Sequence, residues 1–445
     1  MRSNIVVLLF LFLGVVMAAP AQQPATVAQK VTEALTGLDN ASNGFVDEAT
    51  HQADLAVFDE FETIADGLGP LYNAQSCREC HQSPVSGAAS QVTELRAGHY
   101  AADGSFQNPA IPIAGGAETI STRSLINDRS ICPSNDYPAT EIQERVPETE
   151  TVRTQRLSLN ILGDGYVEAV ADATLLNLAS LQCSATRGRI CGQAIRVPIV
   201  EAPGTVGIGR FGWKDQHASL MSFAGDAYLN EMGVTSKLFP DEVTLQCNPP
   251  GMAEPNDKTG ADGLTDVDRF TRFMRATKAP PRDAELAATA SAQRGSVLFD
   301  QAGCSACHVR TLTTAPVGTK LNGGTYTVPA ALASKQFHPF SDFLLHNIGT
   351  GDGIAVAFQE HFGRTLQTLM ARTVPTSTFI SAQNKVRTAP LWGVRFRARL
   401  MHDGASYTFS DAILRHAGEA SVASQRYFQL SPTDRDALLD FLRSL

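Results

Sequence analysis

The sequence contains two copies of the pattern C-x-x-C-H, and this feature constrains the fold more than any other. The first copy occupies residues 77–81 and the second occupies residues 304–308. Two thiols one helical turn apart can each form a thioether with a vinyl group of haem, and the adjacent histidine can bind the iron. The pattern therefore predicts two covalently bound c-type haems. The attachment residues would be Cys77, Cys80, Cys304 and Cys307, and the iron ligands would be His81 and His308.

Two other chemistries use the C-x-x-C spacing. A zinc ribbon would place a second cysteine pair about 15 to 20 residues after the first, and the two pairs here are much further apart. A thioredoxin-like redox site would not need His81 or His308. Both alternatives explain the sequence less well than haem attachment does.

The other four cysteines are Cys132, Cys183, Cys191 and Cys247. Their number is even, and three pairings are open. A polar turn separates Cys183 from Cys191, so a local disulfide is expected there, which would leave Cys132 with Cys247. Free buried thiols are the alternative.

The first residues indicate the compartment. Arg2 is followed by an apolar run at residues 5–16 and then by small residues up to Ala21. This order is typical of a secretory signal peptide, so we expect residues 1–21 to be removed and the mature protein to be periplasmic or secreted. Cleavage after Ala18 and cleavage after Ala21 both fit. An uncleaved anchor is the alternative, although the run is short for a membrane span.

Charge and composition narrow the class of protein. The chain has 445 residues with 36 basic and 45 acidic side chains, which gives a formal charge of −9. This balance argues against a nucleic-acid binder. The hydrophobic fraction of 43% is enough for a large core. No later segment is apolar enough to cross a membrane, so the mature protein is not expected to be an integral membrane protein.

Local patterns predict the following elements. Helices are expected at residues 218–232, 287–299 and 432–445, the last with Ser431 as its N-cap. Residues 100–205 are rich in Gly, Pro, Thr and Val, which indicates short strands and loops. Residues 278–283 contain two prolines and indicate a linker. An acidic loop could bind calcium, although a solvated loop is the alternative. Its carboxylates are Asp257, Asp262, Asp266 and Asp268.

Further segments resemble a known family, the bacterial dihaem oxidoreductases related to dihaem cytochrome c peroxidases. These segments are GLGPLYN at residues 67–73, FGWK at 211–214, RTAPLWG at 387–393, MHDG at 401–404 and HAGEA at 416–420. The resemblance implies a mainly α fold with two cytochrome c-like haem domains. The expected domains are residues 22–280, with an irregular β-containing insertion at about 100–205, and residues 281–445.

The resemblance also implies roles for particular residues. His99 would be the displaceable second ligand of the N-terminal haem, with a surface histidine as the alternative. His416 would be the second ligand of the C-terminal haem, with Met401 as its rival. Trp213 would lie between the haems and relay electrons, and His402 would lie near the haem interface. A core tryptophan and a hydrogen-bonded core histidine are the respective alternatives.

Peroxide cleavage needs a group that moves a proton between the two peroxide oxygens. Aligned from Trp213, Glu231 matches the acidic residue of the peroxidase relatives, whereas Phe223 lies near the place of their glutamine. Weak peroxidase activity is therefore expected, with Glu231, Trp213 and His402 as the candidate catalytic residues.

Two main hypotheses follow for the function. The first is an exported oxidoreductase that takes electrons from a small redox protein, such as a cytochrome c or a cupredoxin, and reduces peroxide or another small oxidant. The second is a dihaem electron carrier without substrate chemistry. A haem enzyme that oxidises a partner protein is a third, less favoured reading.

Overall fold

Helices and short strands alternate along the chain. The computed structural model describes residues 30–133, 135, 141–247, 255–355 and 380–445. The helices of this part are α1 Glu48–Asp59, α2 Cys77–Cys80, α3 Asp164–Glu168, α4 Asp172–Ala185, α5 Leu220–Met232, α6 Asp266–Ala276, α7 Ala284–Ala287, α8 Ala290–Ala302, α9 Phe409–Leu414, α10 Ser421–Gln429 and α11 Pro432–Arg443.

The strands are mostly two or three residues long. They are β1 Thr32–Glu33, β2 Leu71–Tyr72, β3 Thr93–Tyr100, β4 Phe106–Gln107, β5 Ile111–Ile113, β6 Glu118–Ile120, β7 Arg129–Ser130, β8 Val152–Leu157, β9 Arg196–Pro198, β10 Val206–Ile208, β11 Leu312–Thr313, β12 Lys320–Leu321, β13 Tyr326–Thr327, β14 Lys335–Phe337, β15 Leu345–His346 and β16 Val386–Arg387.

Two three-stranded sheets matter for the site. In the first, β3 lies between β4 and β8, and the antiparallel register places Glu94 opposite Arg156. In the second, β14 lies between β1 and β11, and β1 is parallel to β14. This second sheet joins a strand near the start of the described chain to strands beyond residue 310. The other strands named here form two-stranded pairs.

Capping residues place α8 directly before the second cysteine motif. The Thr289 side chain accepts a hydrogen bond from the Ala292 N–H and satisfies one of the free donors of the first turn. Gly303 has φ +96°, a left-handed conformation that favours glycine, and it ends the helix. The chain therefore turns sharply at the residue that precedes Cys304.

The closing helix α11 packs tightly against α8. A Cβ built on Gly295 of α8 would lie 1.9 Å from the carbonyl oxygen of Ala437, so only glycine allows this approach. Phe299 and Phe441 complete the contact, with ring centroids 5.2 Å apart. The largest apolar cluster lies elsewhere and combines residues from both halves of the chain, such as Phe58, Tyr228 and Phe343. Residues Val31–Leu445 form one compact unit.

The local predictions agree with the structure in most places. The helices expected near residues 218–232, 287–299 and 432–445 are present as α5, α8 and α11, and the Ser431 side chain accepts from the Asp434 N–H as an N-cap. The prediction for residues 100–205 is incomplete, because α3 and the fourteen-residue α4 lie there beside the short strands. Helix α4 has no side-chain N-cap, so its start carries no capping signal in the sequence.

The expectation of a mainly α fold is met in part, because the structure is 32% helical and also contains many small sheets. The domain boundary at residue 281 stays a prediction. The predicted signal peptide, residues 1–21, lies outside the described residues. Among the helices that the structure describes, none is both long and apolar enough to cross a membrane.

The predicted disulfides are confirmed: Cys183 pairs with Cys191, and Cys132 pairs with Cys247. The four cysteines of the two C-x-x-C-H motifs are not disulfide-bonded. The carboxylates of the acidic loop are engaged by protein groups. Asp268 completes the capping box of α6, Asp262 pairs with Arg269, and Asp257 accepts from the Asp266 N–H. Calcium binding therefore stays a prediction without supporting geometry.

Candidate functional site

The first motif forms a single helical turn, α2, and His81 follows at its C-terminal end. Its two thiols face a cavity of about 140 Å³, which we call the N-terminal cavity. Burial lowers the pKa of His81 to about 4, so the imidazole is neutral near neutral pH and one ring nitrogen keeps a lone pair for a metal. Apolar side chains from α1, α5 and α6 complete much of the wall, among them Phe58, Met232, Phe270 and Met274.

A group of charged side chains also lines the N-terminal cavity. Glu94 and Arg96 come from β3, and Glu231 comes from the last turn of α5. The Arg96 guanidinium lies 3.3 Å from the Glu94 carboxylate and 4.0 Å from that of Glu231. Burial and the neighbouring Glu94 raise the pKa of Glu231 well above its usual value, although Arg96 opposes this. Glu231 is therefore suited to hold a proton at neutral pH.

A glutamine that the sequence comparison missed lies in the same cavity. Gln216 lines it together with Phe223 and Trp213, and the Gln216 Oε1 accepts from the Lys214 N–H at 3.2 Å. Alignment from Trp213 places Phe223 near the position of the relatives' glutamine, and Phe223 does lie in the cavity wall. Gln216 reaches the same space because the chain reverses directly after Trp213, a turn that spacing alone does not show.

His99 does not reach the N-terminal cavity. It lies at the far end of β3, is 39% exposed, and its Nδ1 lies 2.7 Å from the Glu150 carboxylate. Among the described residues that line this cavity, His81 is the only histidine. This arrangement gives no support to His99 as a second ligand and favours its alternative, a surface histidine.

The second motif begins a tight turn directly after Gly303. It lines a larger cavity of about 330 Å³, which we call the C-terminal cavity. The Nδ1 of His308 lies 2.9 Å from the carbonyl oxygen of Phe340. Donation to this carbonyl places the ring proton on Nδ1 and leaves the Nε2 lone pair free. Burial lowers the pKa of His308 to about 4, so this imidazole is also neutral.

His416 lies in the wall of the same cavity and has a similar environment. Its Nδ1 lies 2.7 Å from the Ala412 carbonyl oxygen, which again leaves Nε2 free, and burial lowers its pKa. Its rival Met401 also lines the cavity. His308 and His416 therefore both present a neutral ring with a free Nε2 to the C-terminal cavity, whereas the N-terminal cavity has one histidine in its described wall.

His346 is a further residue of the C-terminal cavity that the sequence did not indicate. It is buried, and its Nδ1 lies 2.9 Å from Glu419 while its Nε2 lies 2.9 Å from Asp342. Burial disfavours its charged form, but Asp342 and then Glu419 raise its pKa to about 12, so it is an imidazolium. Cys307 Sγ lies 3.8 Å from Nδ1. A positive charge therefore lies beside the attachment point of the second motif.

Trp213 lies in the walls of both cavities. Its indole N–H donates to the carbonyl oxygen of Leu157 at 2.7 Å. The imidazole of His402 packs edge-on against it, with ring centroids 6.1 Å apart, and His402 lines the C-terminal cavity. Burial lowers the pKa of His402, so its ring is neutral. The structure thus brings Trp213 and His402 together at the boundary between the cavities.

The segment after Trp213 is held by a buried charge cluster. The Lys214 ammonium donates to the carbonyl oxygens of Ala382 at 3.1 Å and Gln383 at 3.0 Å, and also to that of Lys385. It lies 3.3 Å from the Asp352 carboxylate. Arg156 donates to the other oxygen of that carboxylate at 2.9 Å. These contacts fix the position of the Trp213 backbone.

Residues 132–445 match the sequence model of the family described as "Di-haem oxidoreductase, putative peroxidase". The chain belongs to the di-haem oxidoreductase family. The matched region contains the second motif, Trp213 and His416, and it begins after the first motif. Among curated proteins, no match was found.

Three solved structures resemble this family member at low identity. The diheme peroxidase BthA of Burkholderia thailandensis has a TM-score of 0.40 and 15% identity, with 94% of this chain and 95% of that chain covered. A MauG-like protein associated with microbial copper homeostasis has a TM-score of 0.39 and 15% identity, with 96% and 95% covered. The hydrazine synthase of Kuenenia stuttgartiensis has a TM-score of 0.39 and 13% identity, with both chains fully covered. Scores this low do not establish a shared fold.

The residues of this di-haem oxidoreductase fit two haems. Each cavity presents two cysteines that form no disulfide and the neutral histidine of the same motif, which is the donor set that covalent attachment and iron binding need. The C-terminal cavity is also lined by Arg387 and Arg397, whose buried Nε atoms have no hydrogen-bond partner within the described structure. Such groups suit the carboxylates of a haem.

Proposed function

We propose that this member of the di-haem oxidoreductase family is an exported, peroxidase-like enzyme with two c-type haems. Peroxide would be reduced at the N-terminal cavity, and electrons would enter through the C-terminal cavity from a small redox protein such as a cytochrome c or a cupredoxin. The N-terminal sequence pattern supports export to the periplasm or beyond, and the two C-x-x-C-H motifs support covalent attachment.

The difference between the two cavities carries this proposal. The described wall of the N-terminal cavity offers one histidine and a group of acid–base side chains, Glu94, Arg96 and Glu231. The C-terminal cavity offers His308 and His416, each with a free Nε2. A haem iron with two strong ligands transfers electrons, whereas an iron with an open position admits peroxide. His308 and His416 would therefore hold the electron-transfer haem, and His81 would hold the reactive one.

The protein groups at the N-terminal cavity would handle the proton. A haem held by His81 would supply the electrons for peroxide reduction. Glu231 would give a proton to an oxygen of the breaking O–O bond, and the Gln216 amide would donate a hydrogen bond to the peroxide. Phe223 would exclude water from the same space. Gln216 would supply the amide that alignment with the relatives places near Phe223, so the expectation of weak turnover rests only on Phe223.

Trp213 would connect the two haems. It contributes to both cavity walls, and its indole is fixed by the hydrogen bond to Leu157 and by the contact with His402. An aromatic ring in this place shortens the gap that an electron must cross. His402 would act by holding the indole in place.

An electron paramagnetic resonance spectrum of the half-reduced holoprotein tests the proposal. We expect a high-spin ferric signal from the N-terminal haem, no high-spin signal from the C-terminal haem, and peroxide turnover with a reduced cytochrome c as donor. His99→Ala should leave the spectrum unchanged, since His99 bonds Glu150. In the fully oxidised holoprotein, His416→Ala should create a high-spin signal from the C-terminal haem. If every ferric haem, in the oxidised and in the half-reduced protein, gives only a low-spin signal and there is no turnover, the protein is an electron carrier instead, with Met232 or Met274 as candidate sixth ligands.

A further inference from the structure

We propose that Glu94 shares a proton with Glu231, so that the two carboxylates act as one proton store for peroxide reduction. Glu94 would be a positioning residue, because it acts through Glu231. This inference rests on the proposed function of the N-terminal cavity and adds a residue to it.

The geometry brings three groups to one point of the wall. Glu94 and Arg96 are alternate residues of β3, so their side chains lie on the same face of the strand. Glu231 approaches them from the last turn of α5. Arg96 is only 6% exposed and lies within 4.0 Å of both carboxylates. A single buried guanidinium therefore faces two acidic side chains.

The charges favour one shared proton. If both carboxylates were ionised, the group with Arg96 would carry one net negative charge at a place largely removed from water, since the Glu94 and Glu231 side chains are only 19% and 21% exposed, and this is costly. One bound proton makes the group neutral and allows a hydrogen bond between the two carboxyl groups. Like charges close together are the ordinary reason why one acid of a pair keeps its proton.

The other charged groups near the pair have partners of their own. Asp226 of α5 bonds His217 at 3.0 Å, and Arg156 of β8 bonds Asp352. Cys80 of α2 is taken up by haem attachment in the proposed holoprotein. Asp226 still adds to the rise in the pKa of Glu231, but Glu94 raises that pKa more and Arg96 opposes both.

The pair would supply a proton to the reaction in a defined way. Reduction of one hydrogen peroxide breaks the O–O bond, uses two electrons and two protons, and releases two waters. Both electrons come from the one-electron donor protein, one at a time. Glu231 gives the first of the two protons to an oxygen of the breaking bond, and the pair regains a proton from solvent. The second proton arrives by the same route.

The pH dependence of peroxide turnover tests this inference. Glu94→Gln removes the like charge, so the pKa of Glu231 should fall and Glu231 should lose its proton at neutral pH. We expect turnover near pH 7 to fall roughly tenfold for each unit by which the pKa of Glu231 drops below 7, and to recover as the pH falls towards about 5. Glu94→Asp keeps the charge and should keep the wild-type profile. A purely structural role for Glu94 would lower the rate equally at every pH.

A second readout needs no turnover. The infrared spectrum of the wild-type holoprotein should contain the carbonyl stretching band of a protonated carboxylic acid. This band should be absent from Glu94→Gln and also from Glu231→Gln. Glu141→Gln is the matched control, because Glu141 forms an exposed ion pair with Arg145 and should change neither readout. In the double variant, turnover should be no lower than in Glu231→Gln, because the two residues act as a unit.

The outcomes separate this inference from the proposed function. If wild-type protein turns over peroxide and Glu94→Gln keeps both its pH profile and the infrared band, the shared proton is refuted while the peroxidase function stands. If wild-type protein has no turnover but the band is lost in both variants, the peroxidase function fails while the shared proton stands.

Discussion

Lys214→Met should destabilise the protein strongly, because it removes a buried charge next to Trp213. The side chain of Lys214 is 1% exposed and that of Asp352 is fully buried. Three main-chain carbonyls also accept from the Lys214 ammonium. Methionine matches the length of lysine but offers no donor, so these oxygens would lose a partner while staying buried.

The size of the destabilisation follows from the contacts that Asp352 keeps in Lys214→Met. Removal of one partner from a buried ion pair costs about 3–5 kcal/mol. Asp352 would keep its bond to Arg156, so the lower end of the range applies. We expect a loss of about 3 kcal/mol in the free energy of unfolding, which is about a 100-fold change in the unfolding equilibrium.

Urea unfolding of the oxidised holoprotein measures this loss. Haem absorption and far-ultraviolet circular dichroism both monitor the unfolding, and the two signals must give one coincident transition. Lys237→Met is the control. Lys237 pairs with Asp268 at 3.2 Å but is 53% exposed, so its loss should cost less than about 1 kcal/mol. An equal effect of the two substitutions would refute the reasoning.

The pH dependence of this difference has a definite sign. Burial opposes ionisation of Asp352, but Arg156 and Lys214 hold its pKa below the usual value. A carboxylate with a depressed pKa contributes stability above its unfolded pKa and loses it as the pH falls through its folded pKa. The advantage of the wild type over Lys214→Met should therefore be full near neutrality and should shrink in acid.

Three other predictions concern the haems and the reaction. Acid-acetone extraction should leave both haems on the wild-type protein, and replacement of Cys80 and Cys307 by alanine should give apo or single-thioether protein; extraction of haem from the wild type would exclude c-type attachment. His416→Ala should let cyanide or azide bind the C-terminal haem, whereas an absorption band of thioether-bound iron that disappears in Met401→Leu would identify methionine as the ligand instead. Glu231→Gln should lower peroxide turnover by roughly 10²-fold or more with both haem spectra intact, and an unchanged rate would make Glu231 structural.

Chemistry with a fixed local spacing could be predicted from the sequence. The two cysteine motifs, the disulfide between Cys183 and Cys191, and the N-cap at Ser431 each depend on residues a few positions apart. Helices with a clear cap or glycine stop, such as α5 and α8, were predicted within about three residues. Helix α4 was missed because it has no capping side chain.

Groups that meet only through tertiary structure were harder to predict. Gln216 reaches the N-terminal cavity through a chain reversal, and His346 becomes a buried imidazolium only because Asp342 and Glu419 converge on it. His99 shows the opposite case. The resemblance predicts a ligand at its interval from His81, whereas the extended strand β3 places its side chain beside Glu150, which favours the alternative of a surface histidine.

The hydrogen bond of Trp213 also determines how its indole could carry electrons between the two haems. The Leu157 carbonyl accepts the N–H but is not a base that can take the proton. An indole that lost an electron would keep this proton and become a cation at a buried position, since Trp213 is 7% exposed. Burial away from water raises the energy of that cation. Trp213 would therefore serve as a tunnelling bridge and not as a resting place for the hole, and the rate of transfer between the haems should be independent of pH.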